Sequence, residues 1–129
     1  MTQEIFLAAA QEHGHQCPGL ALGLRASEIA QAVMKWEGKP EGLTCSVDRR
    51  ACYVDGVRFM TGCTPENGTI TFRNDGQWAF VFSKDGVSVR VELAARPDFT
   101  KGREAMTEQV LYGPAEEVFR VTEYQEISD

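Results

Sequence analysis

Trp78-Ala79-Phe80-Val81-Phe82-Ser83-Lys84-Asp85-Gly86-Val87-Ser88-Val89-Arg90-Val91-Glu92-Leu93 reads as two β-type runs joined by an Asp-Gly turn. In the second run Val87, Val89, Val91 and Leu93 alternate with Ser88, Arg90 and Glu92, which predicts one buried and one wet face. A third run, Thr69–Arg73, precedes the pair across an Asn74-Asp75-Gly76 turn, and Phe119–Tyr124 forms a last strand. These runs predict an antiparallel β-meander.

Away from the meander the periodicity is helical. Residues 3–12 place Ile5, Phe6 and Ala9 on one side of a short Ala-rich helix. From Leu20 to about Trp36, Leu22, Ala26, Ile29, Ala30 and Val33 recur at helical spacing, with Gly38 and Pro40 as the stop. Gly42–Val47 reads as a strand. Asp48 is placed as the N-cap of a further helix running to about Met60 and stopped by Gly62. Thr100–Tyr112 is a third long helix, closed by Gly113-Pro114, with a turn at Ala115–Val118 before the last strand. Helices segregated from an antiparallel meander make the class α+β: N-terminal helices packed on the sheet, in one domain over residues 1–129.

Composition narrows the partners. The 129 residues are 43% hydrophobic and 25% charged, and carry a net charge of −6. An acidic surface argues against nucleic-acid and anionic-membrane binding. No apolar run reaches the ~18–20 residues of a membrane span. The N-terminal stretch MTQEIFLAAAQEHGH lacks the basic and apolar regions of an export signal, so a cytoplasmic protein with reduced thiols is expected.

The two histidines and one of four cysteines crowd into His13-Gly14-His15-Gln16-Cys17. Imidazole and thiolate are the usual ligands of zinc and other divalent transition metals. In extended chain His13, His15 and Cys17 point the same way. If Gly14 instead caps the first helix, His13 points elsewhere and only His15 and Cys17 converge. Cys17 precedes Pro18-Gly19 at the start of the long helix, where open amides and the helix dipole favour a thiolate, ready for metal or for nucleophilic attack. The plainer alternative is a capping loop whose histidines satisfy backbone groups.

Two further clusters follow. On a helix, Cys52 and Asp55 of Ala51-Cys52-Tyr53-Val54-Asp55-Gly56 share a face, with Phe59 a turn on. Asp55 could orient a ligand or shuttle a proton, or simply be a solvated aspartate. Thr61-Gly62-Cys63-Thr64-Pro65 places an exposed thiol just past a helix end, with Gly62 and Pro65 fixing the backbone around it. Cys45 alternates with Leu43 and Val47 and reads as core. Trp36 and Trp78 read as core or interface anchors.

Taken together, His13 to Ser27 (HGHQCPGLALGLRAS), Ala51-Cys52-Tyr53-Val54-Asp55-Gly56 and Thr61-Gly62-Cys63-Thr64 closely resemble the E-subunit family of formylmethanofuran dehydrogenase, over at least residues 10–70. The resemblance implies an α+β core that pairs into a homodimer, a metal-bearing site lined by the His/Cys motif, and association with a molybdenum- or tungsten-dependent formyl or formate oxidoreductase complex, in methanogens and other anaerobes. Carried over, it makes His15, Cys17 and Cys63 the first choice for ligands of zinc or another divalent ion, with His13, Cys52 and Asp55 as alternates or supports. Cys17, Cys63 and Asp55 are the candidates for chemistry. The alternative is a stand-alone enzyme using a Cys thiolate or metal-bound water for sulfur transfer or hydrolysis. Two departures stand out. No cysteine follows Cys63, so the paired-cysteine zinc finger of many relatives is not carried over. The family pattern after Cys52 is closer to Asp-Ala-Ile-Gln, whereas here Asp55-Gly56-Val57-Arg58 adds a cation and a helical glycine worth about 1 kcal/mol of lost propensity.

Overall fold

In the computed structural model, which describes residues 2–94 and 102–125, the Thr2 hydroxyl accepts from Ile5 N and opens helix α1, Gln3–His13. Gly14 ends it in the left-handed region at φ 105°, its amide returning to Ala10 O. Three residues later the chain turns into α2, Pro18–Met34, with Cys17 as N-cap. Lys35, rather than the glycine beyond it, closes α2 in the left-handed region at φ 61°, its amide bonded to Gln31 O. Strand β1 is Thr44–Val47, and helix α3 is Cys52–Thr61. Then come β2 (Ile70–Phe72), β3 (Ala79–Lys84), β4 (Val87–Leu93), α4 (Arg103–Tyr112), α5 (Ala115–Val118) and β5 (Phe119–Gln125). The expected start of the third long helix at Thr100 lies outside the described residues.

The class is α+β, with one correction to the meander. The sheet order is β2-β1-β3-β4-β5, and β1 lies between the two strands expected to form a hairpin. β1 pairs parallel with β2, with Cys45 opposite Ile70, and antiparallel with β3, with Cys45 opposite Phe82. The cause is α3: a helix between two neighbouring strands returns the chain in the same direction, a β-α-β unit. Only β3, β4 and β5 form the expected antiparallel run.

Arg73 holds the crossing over β1. Its guanidinium donates to Ser46 O (2.7 Å), Ser46 Oγ (2.9 Å) and Ala79 O (2.8 Å), tying three strands together. Asp48 belongs to the same crossing and not to a helix cap. Ala51 stands at the N-cap of α3 with no side-chain cap bond, while Asp48 Oδ1 accepts from Gly76 N at 2.8 Å. That amide, with the Arg49 guanidinium, holds the Asp48 carboxyl below the ordinary aspartate range. The unfolded chain takes up this proton near pH ~3.9 and the folded chain only lower. The contribution to stability is therefore complete above that pH and is lost as the pH falls through the folded value. Asp75 in the same turn is lowered by the Gln77 amide and Arg73. Asp48→Asn should thus flatten part of the acid limb of a plot of Tm against pH, and an identical limb would remove Asp48 from this role.

The core lies between the helices and one sheet face. Leu20, Leu22, Leu24 and Leu111 meet Val47, Phe82, Val89 and Val91, all fully buried. The opposite face is less wet than the alternation implies: Ser88 is buried and its hydroxyl meets Ser83 Oγ at 2.7 Å. Trp36 is buried and Trp78 is half exposed.

The contact that positions everything below is the crossing of α2 and α3. A Cβ on Gly23 would lie 2.1 Å from Tyr53 O, and one on Gly56 would lie 2.6 Å from Leu20 O and 2.7 Å from Leu24 N. The two backbones touch, which only glycine permits. Gly56 therefore serves packing, and its cost in helix propensity is secondary.

Candidate metal centre

Backbone contact between α2 and α3 sets their N-terminal ends side by side. Cys17 sits immediately before α2, and Cys52 is the first residue of α3. A Cβ on Gly19 would come within 2.9 Å of Cys52 Cβ, so the absence of a side chain there lets Cys52 in beside Cys17. α1 supplies the remainder. His13 is its last residue, and the reversal at Gly14 folds the chain back so that the His15 ring lies 4.4 Å from the His13 ring.

The two sequence alternatives for this segment thus combine in a third way. Gly14 does cap α1, yet His13 still joins His15 and Cys17, because a helix end followed by a reversal brings i and i+4 together as well as an extended chain does. One donor atom from each of His13, His15, Cys17 and Cys52 lies within 4.8 Å of the others. His13 Nε2 and Cys17 Sγ are 3.8 Å apart. Metal bonds of ~2.0–2.1 Å to nitrogen and ~2.3 Å to sulfur imply tetrahedral edges of about 3.5 Å. Two imidazoles and two thiolates are also a standard zinc donor set, so the residues present fit a divalent transition ion.

The surroundings hold these groups in place. His13 Nδ1 and Asp55 Oδ2 are 2.5 Å apart, which turns Nε2 toward Cys17. Asp55 lies one helical turn from Cys52, so α3 supplies both a thiol and the carboxylate on one face. Cys17 Sγ accepts from Leu20 N at 3.4 Å, and Pro18 occupies the first helical turn. Cys17 is buried, Cys52 and His13 are half-buried, and His15 is exposed, so the cluster opens to solvent on the His15 side.

Cys63 is placed elsewhere. It is buried past the C-terminal end of α3 with its Sγ on Leu43 O at 3.3 Å, outside the group of four. α3 is ten residues long, so its first residue and the segment after its last are held well apart. Cys45 is core as expected, and burial pushes its thiol up. Lys39, Thr64 and Phe59 also come close to His13 and Asp55, lining a cleft of about 420 Å³ with them. Phe59 was legible as a turn beyond Asp55. Lys39 carries no motif and arrives through tertiary packing, whereas Thr64 belongs to the Thr61-Gly62-Cys63-Thr64 segment and was not singled out there.

Known proteins bear on this geometry in three ways. The family described as FmdE, molybdenum formylmethanofuran dehydrogenase operon, matches residues 12–126. A protein of Archaeoglobus fulgidus described as a probable S-adenosyl-L-methionine-binding protein is 33% identical, over 95% of this chain and 37% of its own length. The chain thus spans little more than a third of that relative. The crystal structure of a tungsten formylmethanofuran dehydrogenase FmdE-like protein from Syntrophus aciditrophicus superposes with a TM-score of 0.69 at 23% identity, over 95% of this chain and 71% of that one. That likeness concerns the fold, and among the described residues no helix is long and apolar enough to cross a membrane. With its family match running through the His/Cys segment, α2, α3 and the sheet, the chain belongs to the FmdE family.

Proposed function

We propose that this protein is a metal-binding accessory protein or subunit of a molybdenum- or tungsten-dependent formyl or formate oxidoreductase system, with His13, His15, Cys17 and Cys52 as ligands of zinc or another divalent transition ion. The convergence of those four donor atoms within 4.8 Å carries the reading. The link to formyl chemistry comes from the description of the family. A homodimeric state rests on the same family resemblance. S-adenosyl-L-methionine binding is not transferred, since most of that relative has no counterpart in this chain.

A divalent ion at this site would supply a Lewis acid. The protein's own residues do the rest. Asp55 fixes the His13 ring and makes its Nε2 the free donor, the carboxylate–histidine support common around metal ligands. The Leu20 amide donates to Cys17 Sγ and holds it at the start of α2. Exposed His15 would hold the ion from the solvent-facing side of the cluster. Cys17 is 3% exposed, a burial that suits a ligand better than a nucleophile facing bulk solvent.

Elemental analysis of anaerobically purified protein tests the reading. About one transition-metal ion per chain is expected; no metal in the protein and no uptake of added zinc would end it. Asp55→Asn should keep the fold and weaken zinc affinity ~10–100-fold, as loss of a carboxylate behind a ligating histidine does. Unchanged affinity would reduce the Asp55 contact to an ordinary surface pair.

A further inference from the structure

The cleft of about 420 Å³ beside the His13–Asp55 pair has a chemistry that the metal centre does not use. Its walls carry two cations, Lys39 and Arg58, neither of them ion-paired among the described residues. Lys39 is held there by its stem, which runs across Gly62: a Cβ on that glycine would meet Lys39 Cδ at 3.3 Å. Arg58 projects from the last turn of α3. Thr64 adds a hydroxyl. Its oxygen accepts from Asn67 N at 3.1 Å, and its proton has no acceptor among the described residues.

Two carboxylates also line the cleft, and they differ. Asp55 is committed to His13. Glu12 is exposed on α1, screened by water to the same degree as exposed Lys39 and Arg58. Phe59 and Ala9 provide apolar wall. The uncommitted donors are therefore three, two of them charged, next to an apolar surface, against one uncommitted carboxylate, Glu12.

We propose that this cleft binds a small organic carboxylate, its oxygens taken by Arg58, Lys39 and the Thr64 hydroxyl and its apolar part set against Phe59. A guanidinium offers a carboxylate two parallel N–H donors, and the lysine adds a mobile point charge. Placement beside a metal ligand makes the cleft a substrate subsite, a role that rests on the metal reading, whereas the binding itself does not.

Titration calorimetry with butyrate as the probe, on the metal-loaded chain, on chelator-stripped protein and on Lys39→Gln/Arg58→Gln, tests the proposal. Both replaced residues are exposed, so the fold and metal content should be unchanged, which circular dichroism and elemental analysis verify. Butyrate is expected to bind the wild type and to bind the double variant at least about tenfold more weakly, with Thr64→Val intermediate. No binding to the wild type, equal binding by the double variant, or tighter binding of inorganic phosphate than of butyrate would overturn it. The two readings fail separately. One metal per chain without butyrate binding removes the cleft and leaves the metal centre, whereas Arg58-dependent butyrate binding by a chain that takes up no metal upholds the cleft and removes the centre.

Discussion

Gly23→Ala should lower the stability of the protein by about 3 kcal/mol or more, an overpacking cost. In Tm, for a domain of this size, that is a fall of roughly 10 °C. Helix propensity alone predicts the opposite sign, since alanine is favoured over glycine by ~1 kcal/mol inside a helix. The contact decides. The added methyl would sit 2.1 Å from the Tyr53 carbonyl oxygen, which is backbone of α3 and cannot swing away. α2 and α3 must separate, and the displacement carries Cys52 and Asp55 away from Cys17 and His13. Weaker metal binding should therefore accompany the lower Tm.

Gly19→Ala provides a graded comparison. There the nearest atom is the Cys52 side chain, at 2.9 Å, so the strain is smaller and falls on a ligand. It should affect metal affinity more than Tm, whereas Gly23→Ala should affect both. A Gly23→Ala protein with wild-type thermal unfolding would mean that the helices do not touch as described.

This crossing also shows what could be read from sequence and what could not. Gly19 and Gly23 are four apart on one helix, so both lie on the same face, a spacing that signals close helix approach. The partner glycine, Gly56, is 33 positions further along, and nothing local ties it to Gly23. Periodicity located the helices because each buries one face. It placed β3 and β4 because alternation and an Asp-Gly turn are both local signals. It misplaced the neighbour of β2, since a short strand after a turn looks the same whether it pairs with the next strand or with one across a helix.

The metal centre divides along the same line. His13, His15 and Cys17 are close in sequence, and Asp55 and Cys52 share a helix face by spacing, so the four residues that cluster and their support were all visible as candidates. Ranking them needed three dimensions. Cys63 ranked above Cys52 on the family resemblance, but Cys52 opens α3 beside Cys17, whereas Cys63 lies beyond its other end with its Sγ on Leu43 O.

Replacement of the cysteines turns that ranking into measurements. Cys17→Ser and Cys52→Ser should each lower zinc affinity by more than the ~10–100-fold expected of Asp55→Asn, because each removes a metal ligand itself. Cys17→Ser is the cleaner case. Serine is among the best N-cap residues, so the bond to Leu20 N and the start of α2 should survive, and Tm without metal should change little. Loss of metal would then reflect the lost thiolate and not a lost helix. Cys63→Ser should behave in the reverse way, keeping full metal content while losing stability, because a hydroxyl would replace a thiol that is 3% exposed in the core. Metal retained by Cys52→Ser and lost by Cys63→Ser would move the centre to the far end of α3. On the proposed reading the four thiols sort by position: two at the N-terminal ends of touching helices would hold the metal, and two in the core serve the fold.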